Sequence, residues 1–230
     1  MKHVAIVMAA GTGSRMGTDI PKQFLPVKDR PVLYYSLKAF QDSFMDEIII
    51  VTRAEDVSYC KEEIAEKFDI NKVSVVVPGG KERSDSVFEG LKAVKPDEAT
   101  YVYIHDGARP CLTEEILERA REDVIKYEAT VVGVPSKDTV KIADKEGNVS
   151  DTPDRKCVWS VQTPQAFKYE VIYNAFLKMK SCGEVSVTDD GMVVERYSDK
   201  KVHLTMGDYK NIKITTPEDL EVAKNFLSNI

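Results

Sequence analysis

The densest run of chemistry-bearing residues is the loop Ala9-Ala10-Gly11-Thr12-Gly13-Ser14-Arg15-Met16-Gly17, followed shortly by Pro21-Lys22-Gln23. Glycines let the backbone turn sharply and approach a ligand, and successive N–H groups in such a turn cradle phosphate oxygens. Arg15 and Lys22, seven residues apart, add two cations to that cradle, a combination suited to a polyphosphate. Met16 breaks the G-x-G-x-x-G spacing of a dinucleotide site, and no G-K-[ST] closes a P-loop. Both standard phosphate motifs therefore fail, and what remains is a glycine turn with focused positive charge. A plain tight connection with solvated basic residues would read the same way.

A second constellation is His105-Asp106-Gly107-Ala108-Arg109-Pro110. A carboxylate at such a place can hold a hard divalent cation that bridges phosphates. Alternatively, Asp106 caps the following turn and Arg109 merely pairs with it. His105 reads as a hydrogen-bonded core or supporting histidine rather than a general base. Further candidates are Gly79-Gly80-Lys81-Glu82-Arg83-Ser84 with Ser86, Asp138-Thr139, Arg155, Gln162-Thr163-Pro164-Gln165, Thr188-Asp189 and Asn211-Ile212-Lys213. The Gln162 to Gln165 run is equally a simple turn, and Lys213 is equally an edge residue of a strand-like Lys-Ile-Thr stretch. No Ser/His/Asp order or G-x-S-x-G elbow is present, which disfavours nucleophilic acyl transfer.

These residues need a scaffold, and the hydrophobic pattern supplies one. β-Branched runs alternate with helix-period segments, the pattern of parallel strands joined by helical crossovers. Strands are expected at Val4 to Ala9, Glu47 to Thr52, Val73 to Val77, Tyr101 to His105 and Thr130 to Val134. Helices are expected over Pro31 to Phe44, where Leu33, Leu37 and Phe40 share a face, near Glu55 to Phe68, and from about Ser84 to Val94. Thr113 is placed to cap a helix whose first turn carries Glu114 and Glu115. Thr216-Pro217-Glu218-Asp219 reads as cap, N1 proline and acidic first turn of a last helix running almost to Asn229. In a parallel sheet, the glycine loop and the Asp106 loop share the carboxyl rim where open α/β sheets bind ligands. The alternation breaks at about 137–157, where Val140, Ile142 and Val149 flank Lys145-Glu146-Gly147-Asn148, a protruding β-hairpin. An isolated hairpin is barely stable in water, so this arm needs support, and a second subunit can provide it. A mobile surface loop is the plainer reading.

The chain has 230 residues, 43% hydrophobic and 30% charged, with 32 Lys+Arg against 38 Asp+Glu and a net charge of -6. A chain of this length buries roughly 70% of its unfolded surface, enough for one core without metal or disulfide staples. Its longest apolar run, Val4 to Ala10, falls far short of the roughly 20 residues that span a bilayer, and no export-type leader is visible. Cys60, Cys111, Cys157 and Cys182 lie far apart with no C-x-x-C pair, the usage of reduced cytoplasmic thiols. Without a dense Lys/Arg run, a nucleic-acid-binding face is not expected. An anionic ligand must instead meet a few local cations.

Taken together, Ala9-Ala10-Gly11-x-Gly13-x-Arg15-Met16 with Pro21-Lys22-Gln23, His105-Asp106-x-Ala108-Arg109-Pro110, Thr163-Pro164-Gln165, and Asn211-Ile212-Lys213 with Thr216-Pro217-Glu218-Asp219 resemble one known family in order and spacing. It is that of the 2-C-methyl-D-erythritol 4-phosphate cytidylyltransferases of the non-mevalonate isoprenoid pathway, and the resemblance covers essentially the whole chain. It implies a single-domain, Rossmann-like α/β fold over 1-230, with a mostly parallel sheet, helices on both faces and a β-arm used for homodimerisation. It also implies that the polyol phosphate attacks the α-phosphorus of CTP and releases pyrophosphate, with Mg²⁺ or another divalent cation and no covalent enzyme intermediate. Arg15 and Lys22 would stabilise the α-phosphate transition state. Lys213 and Arg155 would hold the attacking phosphate, with Arg155 lent by the neighbouring subunit. Asp106 would serve metal, ribose and substrate, with Arg109, Thr139 and Thr188 near the polyol phosphate. Ala9, Ala10, Gly11, Thr12 and Gly13, with Gly80 and Ser86, would receive the nucleotide and read its base. Lys81 departs from the acidic residue associated with that place in the family.

Ribitol-5-phosphate cytidylyltransferases share the glycine loop, the Asp-x-x-Arg-Pro element and the Gln-Thr-Pro-Gln turn. Asp138-Thr139-Val140-Lys141, Asp154-Arg155 and Trp159 on the arm favour the methylerythritol reading, unless Trp159 is merely core packing. A nicotinamide oxidoreductase needs an acidic residue closing the second strand, and Thr52-Arg53 stands there. A non-catalytic nucleotide-binding module would tolerate loss of Lys22, Asp106 or Lys213, and all three are present.

Overall fold

A computed structural model describes residues 1–11, 20–183 and 186–228. The chain opens with strand β1 (Lys2–Met8), a short 3₁₀ turn at Lys22–Phe24, and the strand pair β2 (Pro26–Val27) and β3 (Arg30–Pro31). Helix α1 (Val32–Gln41) leads into β4 (Glu47–Thr52). The segment expected as one helix near Glu55 to Phe68 is helical but of changing pitch: a 3₁₀ turn at Ala54–Asp56, α2 (Val57–Tyr59) and a wide π turn at Cys60–Glu66. Then follow β5 (Val73–Pro78), α3 (Arg83–Ala93), β6 (Thr100–Asp106), α4 (Glu114–Tyr127) and β7 (Ala129–Pro135).

The arm is a hairpin of β8 (Ile142–Ala143) and β9 (Val149–Asp151), antiparallel as expected, with Gly147 at a φ of +88° that suits glycine. After it come β10 (Trp159–Lys168), α5 (Tyr169–Ser181), α6 (Asp190–Tyr197), β11 (His203–Met206) and α7 (Pro217–Leu227). Thr216 caps α7 with Pro217 in its first turn, as the sequence predicts, and Asp219 returns the bond to make the cap a reciprocal capping box. Thr113 does stand at the cap of α4, but its hydroxyl does not bond the helix N–H groups; the Glu115 carboxylate takes it instead.

Seven strands form one sheet in the order β11-β7-β10-β6-β1-β4-β5. All neighbours run parallel except β10, which is antiparallel to both β6 and β7. Two of these strands, β10 and β11, lie where the sequence reading placed none. Helices cover both faces, and the two-residue alternation of β1 shows why: Ala5 and Val7 pack under α1 and α4, whereas Val4 and Ile6 pack under α3, α5 and α6. A third, smaller cluster seats α7 through Ala223 against Leu25, Val27 and Ile214. Among the described residues no helix is long and apolar enough to cross a membrane.

Helix α3 seats closely on the sheet at Gly90, where an added Cβ would sit 2.6 Å from Ile6 Cγ2 and 2.9 Å from Val51 Cγ2. Gly90→Ala is therefore expected to lower stability by about 1–3 kcal/mol through overpacking, despite alanine's better helix propensity. Urea unfolding measures this, and a midpoint at or above wild type would contradict so tight a seat.

Candidate active site

The chain leaves β1 toward β4 and β5 on one side, then crosses back to place β6 on the other. Loops diverging from such a reversal open a crevice at the carboxyl ends of the strands. A cleft of about 340 Å³ lies there, within the range of small-ligand sites. Ala10 and Gly11 line it after β1, Gly80, Lys81, Arg83 and Ser86 after β5, and Asp106 and Ala108 after β6. Lys22 and Lys213 face it as well. Arg15, Thr12 and Gly13 lie outside the described residues.

Each of these side chains is held by something local. Gln23 is buried, and its Nε2 donates to the Ala9 carbonyl at 2.6 Å, tying the Lys22 turn to the end of β1. Thr52 donates to the same oxygen at 3.4 Å, and the Ala9 N–H donates to the Val51 carbonyl. Ala9 therefore spends its polar backbone inside the protein, while Ala10 and Gly11 reach the cleft. Ser86 cinches the loop before it: its Oγ accepts the Gly80 N–H at 3.1 Å and donates to the Glu82 carbonyl at 3.1 Å. Glycine is required in that loop, since a Cβ on Gly79 would meet Ser86 Oγ at 2.6 Å and one on Gly80 would meet Asp85 Cβ at 2.3 Å.

Asp106 is the electrostatic centre. Lys213 Nζ stands 2.7 Å from its Oδ2, Arg83 Nη2 3.9 Å from Oδ1, and Arg109 Nε 4.0 Å from Oδ2. Burial alone would push the carboxyl pKa up, but the Lys213 and Arg83 charges outweigh it and hold it at about 2. Asp106 is thus an ionised carboxylate inside a ring of cations. Arg83 is itself gripped by Asp190, both guanidinium nitrogens donating at 2.8 Å to a carboxylate that is 1% exposed. The Asp190 charge raises the Arg83 pKa further above its ordinary value. Sequence reasoning noted Arg83 only as one member of a loop, and a partner 107 residues away carries no local signal.

The remaining expected residues lie elsewhere. Arg109 sits behind the cleft wall: it is buried, Nη1 donates to the Asn211 carbonyl at 2.7 Å, and burial lowers its pKa. Thr188 is exposed beside the start of α6, with its Oγ1 3.9 Å from Met192 Sδ. Thr139 and Arg155 are exposed on the arm, Arg155 Nη1 donating to the Lys137 carbonyl at 3.3 Å, and neither lines this chain's own cleft. Lys213 belongs to no strand; its segment is held by the Ile214 N–H on the Ala108 carbonyl. Trp159 begins β10, half-buried over Gly133.

Gln162 to Gln165 is not a turn but the irregular middle of β10, where the register with β7 shifts between Val161 and Gln165. Pro164 has no N–H for the ladder, and polar side chains take over the pairing. Thr163 Oγ1 accepts the Asp106 N–H at 3.1 Å and lies 3.0 Å from His105 Nδ1. Gln165 Oε1 accepts the N–H groups of Asp190 and Gly191, while its Nε2 donates to Asp189. Gln162 bonds Asp208 and Asn211. His105 is fully buried with both ring nitrogens engaged, and burial drives its pKa down to about 4, so it is a neutral supporting residue and no general base.

Among the described residues no three His, Cys, Asp or Glu side chains gather as a metal cage. The ionised Asp106 carboxylate facing the cleft nonetheless fits Mg²⁺, which is commonly held by one or two carboxylates together with substrate phosphates.

A profile of the family described as IspD: 2-C-methyl-D-erythritol 4-phosphate cytidylyltransferase matches residues 3–229. A curated protein of that name from Lachnospira eligens is 48% identical over 228 residues, covering 98% of this chain and 99% of that one. Another from Caldanaerobacter subterraneus subsp. tengcongensis is 48% identical, with 99% of each chain covered. Among solved structures, the 4-diphosphocytidyl-2C-methyl-D-erythritol synthase of Anaerococcus prevotii superposes with a TM-score of 0.86 at 38% identity, over 99% of this chain and 96% of that one. The Francisella tularensis 2-C-methyl-D-erythritol 4-phosphate cytidylyltransferase gives 0.82 at 29% identity, over 98% and 100% of the two chains.

The buried histidine makes stability depend on pH. An unfolded histidine binds a proton at about 6.5, whereas His105 in the fold does so only at about 4. Between those values the unfolded chain holds the extra proton, so stability falls as pH drops, by up to about 3 kcal/mol from this group. Urea unfolding across that range should show the decline, and His105→Gln should flatten part of it. His3, whose pKa burial also lowers, keeps its own slope. An unchanged pH profile in the variant would contradict the assignment.

Proposed function

The chain belongs to the family of 2-C-methyl-D-erythritol 4-phosphate cytidylyltransferases, and from that membership and the charged cleft we propose how its residues divide the work. The enzyme transfers CMP from CTP to 2-C-methyl-D-erythritol 4-phosphate in the non-mevalonate isoprenoid pathway, giving the diphosphocytidyl product and pyrophosphate. The observation that carries the division is one cleft bringing Lys22, Lys213, Arg83 and ionised Asp106 together beside a glycine-bounded backbone.

A phosphate oxygen of the polyol phosphate attacks the α-phosphorus of CTP in line. The bond from that phosphorus to the bridging oxygen breaks, and the electron pair leaves with pyrophosphate. Phosphate is already nucleophilic, so no protein nucleophile is needed; the barrier lies in gathering two anions and stabilising the charge that builds at the α-phosphoryl group. Lys22 and Arg15 meet that charge. Lys213 and Arg155 hold the attacking phosphate, and Thr139, Thr188 and Arg109 shape the polyol side. Ala10 and Gly11, with Gly80 and Ser86, frame the nucleotide. Asp106 would hold Mg²⁺, whose charge neutralises the triphosphate when bound.

Arg155 and Thr139 stand on an arm that exposes Ile142 (49%) and Val149 (59%) and does not reach its own cleft. These apolar faces support a homodimer in which each arm completes the partner's site. A cytoplasmic enzyme suits the four free thiols.

Supplying CTP and Mg²⁺ with methylerythritol phosphate or ribitol phosphate should release pyrophosphate chiefly with the first; a preference for ribitol phosphate would overturn the substrate. Lys22→Ala and Arg15→Ala should each cost at least about a hundredfold in turnover with the fold intact, the scale of losing a preorganised donor. Turnover equal to wild type would remove them from the mechanism. Mixed dimers of Arg155→Ala and Lys22→Ala subunits should regain activity, because one site then has both residues. Proven mixed dimers without rescue would argue against a shared site.

A further inference from the structure

We propose that Ser36, in the middle of α1, is a positioning residue whose hydroxyl holds the turn presenting Asp106 and Ala108 to the cleft, a role resting on the cytidylyl-transfer reading. Leu33, Ser36, Leu37 and Phe40 share the buried face of α1, and Ser36 is the polar member of that apolar stripe, 0% exposed. A buried hydroxyl costs free energy unless it is hydrogen-bonded, and a helical serine commonly meets that need on the preceding turn of its own helix. Ser36 Oγ instead directs its one proton out of the helix, between the Gly107 carbonyl at 3.3 Å and the Arg109 carbonyl at 3.1 Å.

Those two carbonyls form the back of the turn that follows β6. The Asp106 carbonyl accepts the Arg109 N–H at 2.9 Å, and the Ala108 carbonyl accepts the Ile214 N–H at 2.9 Å. The Arg109 carbonyl is shared between Ser36 and His105 Nε2 at 3.3 Å, whereas the Gly107 carbonyl takes its bond from Ser36. On the front of the same turn, Asp106 and Ala108 line the cleft, and Ala108 is where the residue after Lys213 docks. Gly107 is also pressed onto α1: a Cβ there would meet Leu33 Cδ1 at 2.7 Å and the Met8 carbonyl at 3.1 Å. Helix α1 thus grips the turn by shape at Leu33 and by direction at Ser36, and neither side chain lines the cleft. Without the hydroxyl, the Gly107 carbonyl is a buried acceptor deprived of that donor, and the turn must shift to recover a bond. Asp106 shifts with it, away from its present spacing to Lys213 and Arg83.

Ser36→Ala deletes the hydroxyl, removes a single atom from the core and improves helix propensity, so the fold is expected to survive. The expected result is a fall of about tenfold in kcat/KM for CTP, through misplacement of a charged group. Calorimetric affinity for CTP in the presence of Mg²⁺ should weaken in parallel, a readout independent of turnover. Hydrogen exchange should quicken in the peptide carrying residues 106–109 and keep its wild-type rates in α3 and α5. Gly90→Ala, which loosens a different helix, is the control: it should lower stability and leave CTP affinity within about twofold of wild type. Wild-type affinity in Ser36→Ala, faster exchange spread over the whole sheet, or an equal loss of affinity in Gly90→Ala would each overturn the proposal. So would an alanine variant that does not fold, which would make Ser36 structural alone. Wild-type protein that releases no pyrophosphate from CTP and methylerythritol phosphate would instead sink the cytidylyl-transfer reading, and the exchange comparison would still decide whether Ser36 holds the turn.

Discussion

A carboxylate buried at the end of β6 can stay ionised only if positive charge surrounds it, and the architecture of this enzyme follows from meeting that demand at Asp106. Burial works against the charged form, and Lys213 and Arg83 overcome it from two different directions. Lys213 arrives from the C-terminal segment and Arg83 from the first turn of α3, so the cleft exists only once distant parts of the chain have docked. The sheet order makes that docking geometrically natural, because the loops after β1, β5 and β6 emerge on one rim around the reversal beside β1.

The cations are restrained in turn. Arg83 is forked onto Asp190, and Asp190 is fixed through its own N–H by Gln165. Buried polar groups of this kind are costly unless satisfied, and a network satisfied at nearly every atom is rigid. Rigidity is the useful property here, since catalysis by charge stabilisation depends on dipoles and charges that need not reorganise during the reaction.

Much of this was legible in the residues. The apolar, β-branched runs mark β1, β4, β5, β6 and β7, and the run Glu47 to Thr52 coincides with its strand residue for residue. The Thr216 cap and N1 proline of α7 and the arm hairpin announce themselves through short-range chemistry. What escaped was non-local. Strand β10 was missed because Gln162-Thr163-Pro164-Gln165 has the composition of a turn, and only the neighbours β6 and β7 make it a strand. Arg83 and Asp190 declare nothing singly, and neither does Gln23, whose partner is a backbone oxygen. Lys213 looked strand-like because Ile and Thr flank it, yet its segment is fastened through Ile214 and Asn211 rather than by a ladder.

The antiparallel course of β10 has one more consequence. Pro135 at the end of β7 pairs with Trp159 at the start of β10, and the Ser136 N–H reaches the Val158 carbonyl at 2.8 Å, so the arm is pinched shut at its root. Everything beyond that neck is a peninsula whose length the body does not sense. Lengthening such a closed excursion costs only a slowly growing entropy, so extra residues at its tip, between β8 and β9, would load the seven-stranded platform little.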